Sequence, residues 1–411
     1  MKNFLLLIFV STCFLRTNAQ DIKSAEKIPS SYDRSAITLF FLDIPGVNHS
    51  EQIKNKIYQL SFSEKYYNNN FSNLSIQAPY SLANANSNHI TFITKYLQEK
   101  KIAKEIVSKW YSRKADGTMS MSLIHQRGMF NATDAAFLKA EATKRGNAVL
   151  QDYGSRLINR SYILVLDFQQ VKSASEVGDR GTKGWQATVT GYLFKIDYEK
   201  NTQNKIFNDW INDSDTPEVR AEKNARYEMI NIPVSFVTNV TRNVSAEQAI
   251  KRSTLATILF PDENDDQLMM DIVQDGYNDI LYSLTKKYED FRVKTTLEQT
   301  HPLRAKIGKK EGVKTDNRYF AYEYVYKEKT NTTKQRYRGV IRATAQIVDN
   351  RKIATGNMGT TKFYQIAGKR LKTGYLLQQR NDAGIEISIG YGIGNIPSVK
   401  GFDGIRRWDR E

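Results

Sequence analysis

Three short segments in the C-terminal half carry residue types spaced for acyl transfer. Ser283-Leu284-Thr285-Lys286 sets a hydroxyl nucleophile one helical turn from an amine. Thr315-Asp316-Asn317 offers a proton relay, and Lys372-Thr373-Gly374 offers a cation for an anionic substrate. The arrangement argues against that chemistry. The gap between the first two segments is too short for a helical subdomain, and Ser283 falls near the end of its helix rather than at its start. No other catalytic pattern emerges. Gly178 to Gly184 lacks the Gly-Lys-Ser/Thr ending that cradles phosphate, and no Gly-x-Ser-x-Gly elbow occurs. His49, His89, His125 and His301 have no metal-ligand spacing. Asp262, Asn264 and Asp266 alternate as in a calcium loop, but Gln267 stands for the required glycine and Val273 for the bidentate glutamate. The run reads instead as the acidic first turn of a helix. The sequence therefore assigns no catalytic residue, cofactor or metal, and favours a non-catalytic role.

Charge is the remaining chemical signal. The 411 residues hold 60 Lys and Arg against 44 Asp and Glu, a formal charge of +16. Residues 301–411 hold 23 basic against 10 acidic residues, while residues 20–300 are nearly neutral. Arg304, Lys306, Lys309, Lys310 and Lys314 surround Gly308 and Gly312, and Arg338, Arg342, Lys369 and Arg370 follow. These nine side chains are the candidate binding residues for an anionic partner, because clustered cations concentrate polyanions in a salt-sensitive way. The competing reading is a solvated basic surface over strands with an aromatic core.

The elements that must position these residues read as α+β: a mixed α/β-layered body followed by a small β-barrel-like C-terminal module. In the body, Ala36 to Leu42, Tyr162 to Leu166 and Trp185 to Tyr198 have strand patterns. One helix is expected from Phe92 to Ser112, with Ile93, Tyr96, Leu97, Ala103, Ile106, Val107 and Trp110 on its apolar face and Lys95, Lys101, Lys104 and Lys109 outside it. A second is expected from Asn131 to about Ile158, and a third along Leu268, Ile272, Val273, Ile280 and Leu284. Beyond a boundary near 291–303 the pattern becomes β. Arg318–Lys327 and Tyr337–Val348 flank a polar turn as a hairpin, followed by short strands at Lys362–Ile366 and Gly374–Leu377. Phe320, Tyr322, Tyr324 and Tyr326 share one face of the first hairpin strand. In the second, Ile341, Ala343, Ala345 and Ile347 share one face, and Arg338, Arg342 and Gln346 the other. The divisions expected are a signal peptide at 1–19, the body at 20–295, the basic module at 296–380 and a Gly-rich tail at 381–411.

The compartment is read from the N-terminus. Lys2, the apolar run from Phe4 and the small or polar residues Thr17-Asn18-Ala19 form a secretory signal pattern with cleavage after Ala19. The apolar run falls short of the roughly 20 residues that a spanning helix needs. Cys13, inside that segment, would serve as a lipid anchor only if the chain were instead cut before it. The mature chain then reads as exported to the periplasm, outer membrane or cell surface, with no transmembrane helix after cleavage.

Gly308-Lys309-Lys310-Glu311-Gly312-Val313-Lys314, Arg318-Tyr319-Phe320-Ala321-Tyr322-Glu323 and Arg338-Gly339-Val340-Ile341 together resemble the small β-barrel module of bacterial envelope proteins. The segment is similar to the C-terminal module of flagellar assembly T proteins, departing where Thr315 precedes Asp316. The signal ending at Ala19-Gln20 resembles that of secreted Bacteroidetes-type proteins, and the body is similar to curli-secretion-like α/β domains. This resemblance implies an assembly or scaffolding role without catalysis, and it transfers no binding residue. The expected function is an exported envelope protein contacting an anionic component through its basic module. Lipopolysaccharide, an anionic lipid or an acidic polymer suits that compartment, as does another envelope protein; nucleic acid does not. The alternatives are a protein associated with an outer-membrane β-barrel that this chain lacks, and a secreted hydrolase of unrecognised type.

Overall fold

The computed structural model describes residues 34–83, 88–129, 154–212, 214–250, 262–327, 332–351 and 359–380. The expected signal segment with Cys13, most of the helix expected from Asn131, and the Gly-rich tail lie outside these residues.

The body is one mixed sheet between two helical layers. Strand β1 (Ala36–Asp43) lies parallel to the short β2 (Tyr67–Asn68) and β3 (Ser75–Gln77) on one side and to β4 (Ser161–Ser173) on the other. Strands β5 (Thr182–Ile196) and β6 (Val234–Ala249) continue antiparallel. Tyr162 to Phe168 is a continuous run because β4 is buried on both faces by alternate residues. On one side the sheet packs α2 (His89–Glu99) and α3 (Ile102–Trp110). On the other it packs α1 (Ser50–Ile57) and a long terminal helix. Between the two come α4 (Ser122–Met129), α5 (Lys200–Asn208) and α6 (Pro217–Met229), and the long helix, Asp265–Lys287, is α7.

The single helix expected from Phe92 to Ser112 is two helices. Lys101 takes a left-handed φ of 51°, which ends α2 and starts α3. The turn brings Lys104 inward, where it is 3% exposed, pairs with Glu228 and lies over the Tyr227 ring. Lys104 therefore does not lie on the polar outside predicted by one uninterrupted helical face. The acidic run at Asp262–Asp266 opens α7 as expected. Asn264 Oδ1 accepts the Gln267 N–H at 2.9 Å, and the Gln267 side chain accepts the Asn264 N–H at 2.8 Å. Close approach of α7 to the sheet depends on Gly191, where a Cβ would fall 2.5 Å from the Ile280 side chain.

After α7 the chain forms a closed antiparallel barrel in the order β10-β11-β8-β7-β12-β9. Its strands are β7 (Lys294–Thr300), β8 (Leu303–Ala305), β9 (Arg318–Lys327), β10 (Thr332–Ala343), β11 (Thr361–Gly368) and β12 (Leu376–Gln379). The hairpin is longer at its turn and shorter at its end than the sequence pattern indicated. Ala345 and Ile347, expected to share one face of the second hairpin strand with Ile341 and Ala343, follow β10, although Ile347 still packs on the barrel core. His301-Pro302 lies in the β7–β8 turn.

The two parts meet along a polar seam. Glu311 is buried and ion-paired to Arg34 from the body, while also accepting from the Gly308 N–H and Asn350 Nδ2, each at 2.7 Å. Asp290 receives Arg160 and the Tyr162 hydroxyl, and its main-chain oxygen accepts from Ser35 Oγ at 2.7 Å. The Phe291 ring fits between Tyr66 and Tyr162 at 5.6 and 4.9 Å.

Candidate functional site

The register of the barrel strands divides the nine candidate cations between two ends. Arg342 pairs with Arg318, and β9 and β10 run from there toward Lys327 and Thr332 at the opposite end. Arg304, Lys306, Lys309, Lys310, Lys314 and Arg342 therefore lie at the end that meets the body. Arg338, Lys369 and Arg370 lie toward the distal end, with Arg336 and Lys372. Four residues separate Arg338 from Arg342, about 13 Å of strand. The nine do not form one patch.

The proximal group is largely occupied in holding the structure. Arg304 donates to Thr360, Arg342 Nη1 donates to the Asp316 carbonyl at 2.7 Å, and Lys309 lies 3.6 Å from Asp349. Lys310 sits beside the buried Arg34–Glu311 pair. Burial, with the nearby Arg34 charge adding to it, lowers its amine to about 8. Such a group is a poor choice for a salt-responsive surface. Lys306 is exposed and, among the described residues, makes no ion pair.

The distal group is different. Arg338 occupies a bulge between Tyr337 and Gly339, so it leaves the face that period-two alternation shared with Arg342. Its Nε donates to Glu323 Oε2 at 2.8 Å, and the same carboxylate lies across the strands from Arg336, whose charge also acts on it. Among the described residues Arg336, Lys369, Arg370 and Lys372 are exposed and make no ion pair. The backbone brings them together, since the Lys369 N–H donates to the Arg338 carbonyl at 2.8 Å across the β10 bulge.

An aromatic face points outward along β9 and β10, reaching from Phe320 near the end that meets the body to Tyr337 beside Arg338. The barrel core uses Tyr319 and Ala321, leaving Phe320 and Tyr322 on the outer side of β9. The aromatic-core reading is thereby corrected: alternation identified the shared face, and closure of the barrel put it outside. Phe320, Tyr322 and Tyr337 form an edge-to-face and tilted triangle with centroids 5.6–6.5 Å apart. Arg318 and Arg380 approach Phe320 at 5.5 and 5.8 Å, and Tyr337 is 49% exposed.

The acyl-transfer segments are not assembled. Ser283 Oγ is buried, donating to the Asp279 carbonyl at 2.7 Å and accepting from Arg242 Nε at 3.0 Å. Lys286 turns away over the Tyr282 ring, and Asp316 and Lys372 lie toward opposite barrel ends.

Sequence reasoning passed over one pair. Asp167 lies on β4 just beyond its pairing with β1, at the carboxyl end of the parallel strands. This is the position at which open α/β sheets place ligands. His89, in the first turn of α2, brings Nε2 to 3.6 Å from Asp167 Oδ2, which also accepts from Gln169 Nε2 at 2.8 Å. The His89 ring stacks on Tyr192 at 6.0 Å. Burial raises Asp167 to about 6, against the opposing pull of His89 and the Gln169 hydrogen bond. The available signal was a carboxylate inside an otherwise apolar buried strand. His89 gave none, because only the fold brings it to β4.

Among the described residues no helix is long and apolar enough to cross a membrane, and no group of His, Cys, Asp and Glu has the geometry to hold a metal ion. Neither a scan of protein-family models nor a search of curated proteins returns a match for this chain.

Proposed function

We propose that this is an exported, non-catalytic envelope protein whose barrel holds an anionic surface against its distal end, with the body acting as a scaffold. The carrying observation is the group Lys369, Arg370 and Lys372, exposed and, among the described residues, without ion pairs, with the outward ring of Tyr337 beside the bulge they meet. Cations already matched by carboxylates gain little from a polyanion, whereas unmatched ones release counterions and concentrate it. Phosphate and carboxylate groups are the shared chemistry, as presented by lipopolysaccharide, anionic lipid or an acidic envelope polymer. The outward aromatics favour a surface with an apolar layer behind its charge, since such rings settle at membrane interfaces.

The test is charge reversal at each end of the barrel. Lys369→Glu with Arg370→Glu is expected to weaken co-sedimentation with phosphatidylglycerol vesicles at least tenfold, from about 1 kcal/mol per basic residue near an anionic surface. Lys309→Glu with Lys306→Glu is expected to change it less than threefold. Equal losses at both ends would replace the distal site with a diffuse charge effect.

A further inference from the structure

The faces of β4, β5 and β6 differ sharply in chemistry. One face packs α7 through Val189, Leu193, Val244 and Ala246. Its opposite is apolar only where α2 and α3 cover it. Beyond Val165 and Phe194 that face becomes polar strand by strand. Asp167 and Gln169 follow on β4, Thr190, Thr188 and Gln186 run back along β5, and Thr241, Asn243 and Ser245 continue on β6. Register places them opposite one another: Asp167 with Thr190, Gln169 with Thr188, Thr190 with Thr241 and Thr188 with Asn243. The β6 residues are exposed and the β5 threonines half-buried.

Two observations separate this face from an ordinary solvated sheet. A β-bulge after Gln169, with Gln170 at a left-handed φ of 51°, opens a cavity of about 320 Å³ lined by Gln170, Lys172, Gln186, Thr188, Asn243 and Ser245. That volume is at the lower end of the range for small-ligand sites, about 300–1,000 Å³. In addition, at the head of the same face and outside the cavity lining, Asp167 is 1% exposed, yet among the described residues its Oδ1 has no hydrogen-bond partner. An unmet buried acceptor costs about 1–3 kcal/mol, so it persists where something offsets that cost.

We propose that this face is a binding site for a neutral, polyhydroxylated ligand, a glycan segment, lying along Thr190 and Thr241 into the cavity at Thr188 and Asn243. A hydroxyl both donates and accepts, matching the mixed capacity of Thr, Asn, Gln and Ser side chains. The cavity carries a single charge, Lys172, so it offers a polyanion little charge complementarity. A peptide strand would add to the edge of β6 rather than lie on the face. The Thr190–Thr241 and Thr188–Asn243 hydrogen bonds, at 2.9 and 3.0 Å, fix the grid before the ligand arrives. This site belongs to the body and does not depend on the function proposed for the barrel.

The experiment uses the full chain and three neutral hexasaccharides, of maltose, cellulose and chitin type, followed by saturation-transfer NMR and calorimetry. At least one is expected to bind, unchanged between 0.05 and 0.5 M salt (roughly a threefold drop in Debye length) and unchanged by reversal of Lys369 and Arg370. Thr188→Val with Asn243→Leu, both outside the apolar cores, is expected to weaken it at least tenfold while leaving the circular dichroism spectrum intact. Absence of binding by all three sugars would overturn the proposal. So would undiminished binding by the double variant, or binding abolished by salt.

Discussion

Asp167 shows how one side chain reports a cost that its surroundings do not fully offset. Burial holds the folded carboxyl near 6, against 3.8 for the ordinary group. Between those values the folded protein keeps a proton that the unfolded chain has released. The associated stability is present at low pH and lost as pH rises through about 6. Asp167→Asn removes the ionisation while keeping the shape. Its thermal midpoint should exceed that of the unmodified protein by a margin that widens from pH 4 to pH 7, on the order of 2 kcal/mol at the upper end. A constant margin across that range would show that Asp167 keeps an ordinary carboxyl in the fold. At the same scale, Arg338 shows how a bulge alters a reading by alternation. One extra residue in β10 takes the guanidinium from the Arg342 face to Glu323, and no local sequence pattern marks where that residue is inserted.

At the scale of elements, burial patterns were legible wherever they were continuous. The β4 run, the α7 core face and the alternation of Ile341 and Ala343 each follow from side-chain period and appear in the structure. Two things were not legible. Lys101 breaks a helix without glycine or proline, and the break turns Lys104 inward to Glu228. Closure of the barrel decides which side of β9 is core, and that depends on strands more than forty residues away in sequence. The seam between body and barrel was likewise hidden, because Arg34 and Glu311 are distant in the chain. Arg34→Ala strands a buried carboxylate with two remaining donors. It should cost about 3–5 kcal/mol in urea unfolding, whereas Arg34→Met with Glu311→Gln should recover much of that loss. A loss below about 1 kcal/mol for Arg34→Ala would mean that the seam pair carries little of the stability. Close packing of α7 gives a second check on the elements. Gly191→Ala forces a methyl against Ile280 and should lower stability by about 1–3 kcal/mol in the same assay.

For the whole molecule, the meaning of the formal +16 depends on where its charges are spent. The barrel accounts for most of it, and the structure then separates barrel cations engaged at the seam from those left open at the distal end. The sequence located the excess in the C-terminal quarter but could not make that second division, because it requires register. The central claim is that the open cations bind an anionic surface, and the slope of affinity against salt tests it most directly. Partitioning of the full chain onto phosphatidylglycerol vesicles should fall at least tenfold between 0.05 and 0.5 M salt, with no matching affinity for neutral phosphatidylcholine. Binding that ignores salt, or that is equal on neutral vesicles, would contradict the account.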